Sequence, residues 1–318
     1  MSYKQRKIAK SFEGAKLISM ADHPKLVIMS DCHRGNGSWG DSFLPNRPLY
    51  TAALKYYYRN NFTYIELGDG DELWENRCFT SIYEIYREVY NMFLEFQKDN
   101  RLFMVFGNHD RIKENSAYIT SKLPIVDSRW AVHAATVSHA ATGPRPNTVS
   151  ATNHNNSRHA PDTLIPFYES IVIRTHVNDR DIYMFHGYQG DILNDDLWKL
   201  SRFLVRYLWR PLELSGFKDP TSAAKNYSKS RAAASRFQSF SQNTGCILIA
   251  GHTHKPSLPR PGDSLYFNSG SCVHPNTVTA LEIQDNQISL VKWSTCSRDD
   301  MTLYVCRTTE GTYPLSAY

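Results

Sequence analysis

The sequence predicts an α/β protein: a two-sheet β-sandwich flanked by helices, with a helical insertion forming a cap. Three observations predict the α/β sandwich. Short apolar runs alternate with amphipathic stretches through the first third of the chain. Four short alternating strands gather near the C-terminus. A long helical, basic segment interrupts the strand order between His186 and Cys246.

The elements follow in order. Leu26–Ser30 reads as a buried strand, Leu49–Asn60 as a helix and Phe62–Gly68 as a second strand. Phe79–Lys98 has a long helical pattern, and Arg101–Gly107 is a third strand. Strand, helix, strand, helix, strand implies right-handed β-α-β units and a sheet covered by helices. Ser138–His159 has no periodicity and is rich in Ala, Thr, Asn, Ser and Pro, so a flexible surface loop is expected at about 138–160. Its histidines, His139, His154 and His159, fit a solvated loop better than a metal site. Ile171–Val177 and Ile182–His186 flank Asn178-Asp179-Arg180-Asp181, a strand-turn-strand signal. Two or three helices are expected over about 191–241, interrupted near Pro211 and Pro220. Cys246–Ala250 is another buried strand. Leu265–Asn268, Val278–Ile283, Ile288–Trp293 and Leu303–Val305 are expected to add a second sheet. Residues 1–318 read as one domain carrying the helical lid and the loop.

Composition is that of an ordinary globular chain, 41% hydrophobic and 21% charged. No apolar run reaches the roughly 20 residues that span a bilayer, and Met1–Lys10 is polar and basic with no apolar stretch behind it. The expectation is a cytoplasmic protein. None of the six cysteines (32, 78, 246, 272, 296, 306) forms a C-x-x-C pair, so free thiols in a reducing compartment are expected. The net charge of +5 is uneven: Lys199 to Arg236 holds nine Lys/Arg against Glu213 and Asp219. Such a surface points to an anionic partner.

Five blocks carry the chemistry, each directly after an expected strand, where the functional loops of α/β sheets gather. Asp31-Cys32-His33 places a carboxylate and an imidazole two residues apart, able to grip one metal. Gly68-Asp69-Gly70-Asp71-Glu72 sets acids close enough to repel one another without a cation, with Asp69 able to bridge two. In Gly107-Asn108-His109-Asp110, Asn108 offers a neutral oxygen and His109 a proton for a leaving group. His186-Gly187 and Gly251-His252-Thr253-His254 add three imidazoles. Each block alone has a bland reading as a turn or cap, but five such readings must hold together.

The ordered set resembles the calcineurin-like metallophosphoesterase superfamily over about Leu26 to His274. The resemblance implies two divalent metal ions. One would be held by Asp31, His33, Asp69 and His254, and the other by Asp69, Asn108, His186 and His252. The N/O donors suit Mn²⁺ first, with Fe and Zn²⁺ compatible. It further implies attack on phosphorus by a hydroxide that the metals share, with Asp69, Asn108 and His109 in the catalytic centre. Asp110 would orient His109 or cap the following helix, and Arg34 is a candidate phosphate contact.

The second block, G-D-x-x-E-x-W with no following Arg-Gly pair, is similar in form to UDP-2,3-diacylglucosamine pyrophosphohydrolases. Those enzymes follow H-G with acidic residues and a helical lid; here Asp191, Asp195 and Asp196 precede the helices. They usually carry Arg where this chain has His109. In the lid, Leu197, Leu200, Leu204 and Leu208 form an apolar stripe beside a basic one, Lys199, Arg202, Arg206 and Arg210. Lys199, Arg202 and Arg206 are candidate substrate contacts. A phosphate-containing small molecule or lipid nucleotide is the expected substrate, with peripheral membrane contact through the basic insertion. Without a recognition motif, nucleic acid is not an expected partner. A protein Ser/Thr phosphatase-like phosphomonoesterase and a nuclease-type phosphodiesterase are the alternatives. A scaffold without catalysis is disfavoured, because all seven ligand positions carry suitable residues.

Overall fold

The computed structural model describes residues 1–122, 165–175, 177, 180–211 and 227–318. The expected loop at 138–160 and the middle of the expected lid lie outside these residues.

Twelve strands are described: β1 (Lys16–Ser19), β2 (Leu26–Met29), β3 (Thr63–Leu67), β4 (Leu102–Val105), β5 (Phe167–Tyr168), β6 (Ser170–Arg174), β7 (Ile182–Phe185), β8 (Ile247–Ala250), β9 (Tyr266–Asn268), β10 (Thr277–Gln284), β11 (Gln287–Ser297) and β12 (Leu303–Pro314). They form two sheets, one of seven strands in the order β12-β11-β10-β2-β3-β4-β5 and one of five in the order β1-β6-β7-β8-β9. β2, β3, β4 and β5 run parallel, as do β7, β8 and β9. The C-termini of β2, β3 and β4 therefore open on one edge of the first sheet, and those of β7 and β8 on one edge of the second. Of the four C-terminal strands expected to add a second sheet, β9 joins it beside β8, but β10 pairs antiparallel with β2 and carries β11 and β12 outward from the first. The second sheet is made instead by β1 and β6–β9.

The strands of the parallel core are buried along their length because both faces are covered. One face of the seven-stranded sheet packs under the helices α2 (Arg47–Arg59), α3 (Phe79–Ile85) and α4 (Arg87–Lys98), where Tyr57, Tyr83, Phe93 and Phe96 are fully buried. Its other face meets the five-stranded sheet through Ile28, Ile65, Ile171, Met184 and Ile249. The single helix read over Phe79–Lys98 is two, because Tyr86 leaves helical geometry (φ −109°, ψ 26°). An N-terminal helix, α1 (Tyr3–Ser11), is closed by a capping box between Ser2 and Gln5. α5 (Ser116–Lys122) follows the third functional loop, α6 (Trp198–Leu204) runs on as a π-helical turn over Val205–Trp209, and α7 (Tyr227–Thr244) precedes β8.

The cysteines correct one expectation. Cys296 and Cys306 are joined in a disulfide, while Cys32, Cys78, Cys246 and Cys272 are free. Register explains the pair: Cys296 faces Tyr304 and Cys306 faces Ser294. The two residues are diagonal neighbours 6.0 Å apart at Cα, within disulfide reach. No described helix is long and apolar enough to cross a membrane.

One polar tie binds the strand extension to α2. Tyr57 donates its hydroxyl proton to Glu282 on β10 (2.7 Å) and accepts the indole N–H of Trp293 on β11 (2.9 Å). Arg307 on β12 completes it through two bonds to the same carboxylate. Tyr57→Phe leaves the buried Trp293 N–H without its acceptor and takes one donor from Glu282, and should lower stability by about 1–3 kcal/mol. Equilibrium urea unfolding measures this, and an unchanged midpoint would refute the tie.

Candidate metal centre

The five loops converge between the two sheets. Asp31 and His33 follow β2, Asp69 follows β3, and Asn108 and His109 follow β4. His186 follows β7, and His252 and His254 follow β8. The backbone is turned sharply to aim these side chains. Asp31, His33, Asp69, His252 and His254 all have positive φ, from 47° to 65°, a conformation that non-glycine residues rarely adopt. Strain repeated at five residues on three converging loops is the pattern of a functional site held by its surroundings. Two glycines make the convergence possible. Gly68 sits at φ 87°, and a Cβ there would lie 2.5 Å from the His186 ring; one on Gly107 would lie 2.1 Å from Asp69 Oδ1.

Three groups of donor atoms result: Asp31, His33 and His254; His33, Asp69 and His109; and Asp69, His186 and His252. In each, all ligand atoms lie within 4.8 Å of one another. The first and third match the protein donors expected for the two metals, less Asn108 and, in the first, Asp69, which stands close by. Asp69 lies between the groups, with Oδ2 3.8 Å from His33 Nε2 and 3.0 Å from His186 Nε2.

Hydrogen bonds fix which atoms are free to ligate. Asp31 Oδ2 accepts from Ser30 Oγ (2.5 Å) and from the backbone N–H of His252 (2.9 Å), leaving Oδ1 bare. Asp69 Oδ1 accepts from the backbone N–H of His109 (2.8 Å), leaving Oδ2. His186 Nδ1 donates to the Leu67 carbonyl (2.8 Å), and His33 Nδ1 donates to Glu72 (2.9 Å). Both acceptors lack a proton to give, so each neutral imidazole carries its lone pair on Nε2. His33 Nε2 faces His254 Nε2 at 3.3 Å.

Asp31 Oδ1, Asn108 Oδ1, His186 Nε2 and His254 Nδ1 are buried with no hydrogen-bond partner among the described residues. A neutral His186 Nε2 and an ionised Asp69 Oδ2 at 3.0 Å repel unless a positive charge lies between them. Burial disfavours the charged imidazole of His186, but the Asp69 and Asp31 carboxylates outweigh it and hold the group up to about 9. That raised proton affinity expresses the same demand for positive charge. No single histidine proton satisfies the oxygens of both Asn108 and Asp31, whereas two cations, one at each donor group, would. His252 is different: burial, with His186 beside it, pushes it down to about 3, so it stands as a neutral donor. The donor set fits two divalent cations bound through nitrogen and oxygen.

Sequence reading overlooked the residue that organises one side of the centre. Glu72 accepts from His33 Nδ1 and also from His109 Nδ1 (2.9 Å). Burial alone would raise its carboxyl, but His109 and His33 hold it down to about 2. His109 stacks on Trp74, with ring centres 4.4 Å apart and planes 22° apart. Burial lowers His109, yet Glu72 and Asp69 outweigh it and hold the imidazole up to about 9. The signal was present, since Glu72 and Trp74 are fixed letters of the G-D-x-x-E-x-W block. Asp110 takes neither expected role. It accepts from the Gly107 N–H (2.7 Å) and the Lys113 ammonium (2.7 Å), and makes no bond to His109 or helix cap.

The expected substrate contacts are placed elsewhere. Arg34 is corrected outright: its side chain is fully buried, bidentate to Glu66 (2.7 Å each) and bonded through Nε to Asp71 (2.8 Å). Lys113 (2.8 Å) and the Tyr90 hydroxyl (2.6 Å) complete the shell of Asp71. With its donors so committed, the guanidinium supports the floor of the centre and does not face a substrate. Arg206 donates to the carbonyls of Trp74 (2.9 Å), Leu73 (2.5 Å) and Asn76 (3.4 Å), clamping the lid to the Glu72 loop. Arg202 lies over the Trp198 ring at 4.9 Å and Lys199 at 5.8 Å, so none of the three joins the donor groups.

Glu72→Gln keeps the shape but gives the two imidazoles a weaker acceptor. It should reduce affinity for Mn²⁺ about 10–100-fold while the fold persists. Calorimetric titration reads the affinity and circular dichroism the fold; unchanged affinity would remove Glu72 from this role.

A family model described as calcineurin-like phosphoesterase matches residues 24–256. No curated protein matches the chain. Among solved structures, it is similar to vacuolar protein sorting 29 from Cryptosporidium parvum, at 13% identity and TM-score 0.35, covering 90% of this chain and 97% of that one. It is also similar to Vps29 from Chaetomium thermophilum, at 12% identity and TM-score 0.37, covering 92% and 98%. The family match spans all seven donor residues and the Glu72 loop that orders them, and the chain belongs to the calcineurin-like phosphoesterase family.

Proposed function

We propose that this metal-dependent phosphoester hydrolase cleaves a phosphodiester or pyrophosphate bond, in the manner of UDP-2,3-diacylglucosamine diphosphatases, and that Mn²⁺ is its working metal. The observation carrying the reading is the set of buried, donorless lone pairs on Asp31, Asn108 and His186, within a ligand set filled at all seven positions. Bound divalent cations supply charge neutralisation at the phosphoryl oxygens and a water acidic enough to attack near neutral pH.

The protein groups then have distinct tasks. Asp69 and Asn108 would hold the cations through their oxygens, so that the positive charge lies where the phosphoryl group must bind. His109, held through Nδ1 by Glu72 and braced by Trp74, keeps Nε2 available. As water adds to phosphorus and the bond to the leaving oxygen breaks, His109 gives its Nε2 proton to that oxygen, so the leaving group departs as an alcohol or a protonated phosphate. The raised proton affinity of His109 suits a general acid. The lid, pinned through Arg206 to the Glu72 loop, stands at the rim and favours a substrate extended beyond one phosphate.

Chelation should abolish hydrolysis and Mn²⁺ restore it. Asp69→Asn and His252→Ala should each lower kcat at least about 10²–10³-fold. His109→Ala should cost about 10²–10⁴-fold, less so for p-nitrophenolate, a leaving group that needs little protonation. In a panel of p-nitrophenyl phosphate, bis-p-nitrophenyl phosphate, UDP-diacylglucosamine and a phosphoprotein, the diester and the pyrophosphate should turn over fastest. Phosphate release from the phosphoprotein alone would overturn the proposal in favour of a phosphomonoesterase.

A further inference from the structure

The lid helix is inside out. The sequence leaves a packed helix with a solvated basic face as the ordinary outcome for α6 and its continuation, but the structure shows the reverse. Arg206 and Arg210 turn towards the body, Arg206 onto the Glu72 loop and Arg210 onto Glu75 and Ser38, while Arg202 lies over Trp198 of its own helix. The opposite face exposes Leu197, Leu200, Phe203, Leu204, Tyr207 and Leu208, and the preceding turn exposes Ile192 and Leu193. These positions recur every three or four residues, so they form one continuous apolar strip. A soluble helix buries such a strip against its own core, and a contiguous exposed one marks an interaction surface.

What borders the strip identifies the occupant. At its far end Arg210 bonds Ser38, placing Trp39 beside the helix with 96% of its surface exposed. At its near end Tyr3, also exposed, donates to Asp196 (2.9 Å), and Lys7 pairs with Asp195 and Asp196. These contacts dock α1 against the start of the lid. α1 carries Lys4, Arg6, Lys7 and Lys10 with no acidic residue from Tyr3 to Ser11. Lys4, Arg6 and Lys10 are exposed, as is Lys199 in the lid. An apolar strip ended by Trp and Tyr and flanked by cations matches the boundary between anionic headgroups and acyl chains.

We propose that α1, the Trp39 loop and the outer face of the lid together form a surface that docks on anionic lipid bilayers. The surface consists of groups outside the metal centre, so docking stands or falls independently of the reaction catalysed.

Flotation of the full chain with vesicles tests it. The protein should float with vesicles of mixed phosphatidylcholine and phosphatidylglycerol, and less with phosphatidylcholine alone. Leu204→Glu with Leu208→Glu should lower vesicle-bound protein at least about tenfold. Lys4→Glu with Arg6→Glu should erase the preference for the anionic vesicles. Both pairs should keep the wild-type melting temperature and the wild-type rate on bis-p-nitrophenyl phosphate, which separates loss of docking from loss of fold. Wild-type protein that stays soluble with both vesicle types overturns the proposal, as does a Leu204/Leu208 variant that floats like wild type. A dimer in light scattering that the same variant dissolves would assign the strip to a second copy of the chain instead.

Discussion

Lone pairs forced together without donors are the constraint on which the rest of this structure depends. Asp31 Oδ1, Asp69 Oδ2, Asn108 Oδ1 and His186 Nε2 are buried at the meeting of two sheets. In isolation this crowding is destabilising, because buried acceptors gain nothing from one another. It is tolerable where positive charge is available, and the surrounding protein denies any other relief. The second oxygen of each aspartate and the Nδ1 of His33 and His186 are already satisfied by fixed partners. The hydrogen bonds around the centre thus serve to leave chosen atoms bare.

A second layer keeps those partners still. Glu72 ties His33 to His109, so an expected metal ligand and the expected proton donor share one anchor. Beneath them Arg34, Glu66, Asp71, Lys113 and Asp110 form a buried chain of alternating charge, closed by hydroxyls of Tyr50, Tyr64 and Tyr90. Burial penalises the charged forms of Asp71 and Lys113, and their opposite neighbours outweigh it, holding Asp71 well below and Lys113 well above its ordinary range. Breaking such a chain by removing one member strands the others in a low-dielectric interior. The loop bearing Asp69 is therefore rigid because its flanking residues are paired.

Much of this was legible from residues alone, where the signal is local. Strands β2, β4, β7 and β8 are continuous apolar runs ending in glycine or polar punctuation, β3 is apolar but for Thr63 and Glu66, and their ends lie within a few residues of the expected positions. The donors sit in those endings, and the resemblance of the ordered blocks to the calcineurin-like family is what implied the set of seven. What was not legible depends on long-range placement. Arg34 stands three residues after Asp31 in the chain, yet its side chain turns into the core because Glu66 and Asp71 wait there. Asp110 follows His109 directly but faces Lys113. The lid showed its two stripes in sequence, but periodicity cannot say which stripe faces the body. Likewise, the alternation over the last strands does not tell which sheet they join, or that Cys296 and Cys306 become diagonal neighbours.

The left-handed turns at the loops also bear on how the molecule comes to exist. Asp31 and His252 are 221 residues apart, and no two of the loops are bridged by a local contact. Until β8 docks beside β7, Asp31 Oδ2 keeps Ser30 Oγ beside it in the chain but lacks the His252 N–H. The two donor groups Asp31/His33/His254 and Asp69/His186/His252 therefore become complete only when both sheets have met. Closure of the two sheets is slow, being dominated by distant parallel pairings. The ion thus selects among finished molecules and acts as a late latch, stabilising the native state by mass action without guiding the search that reaches it.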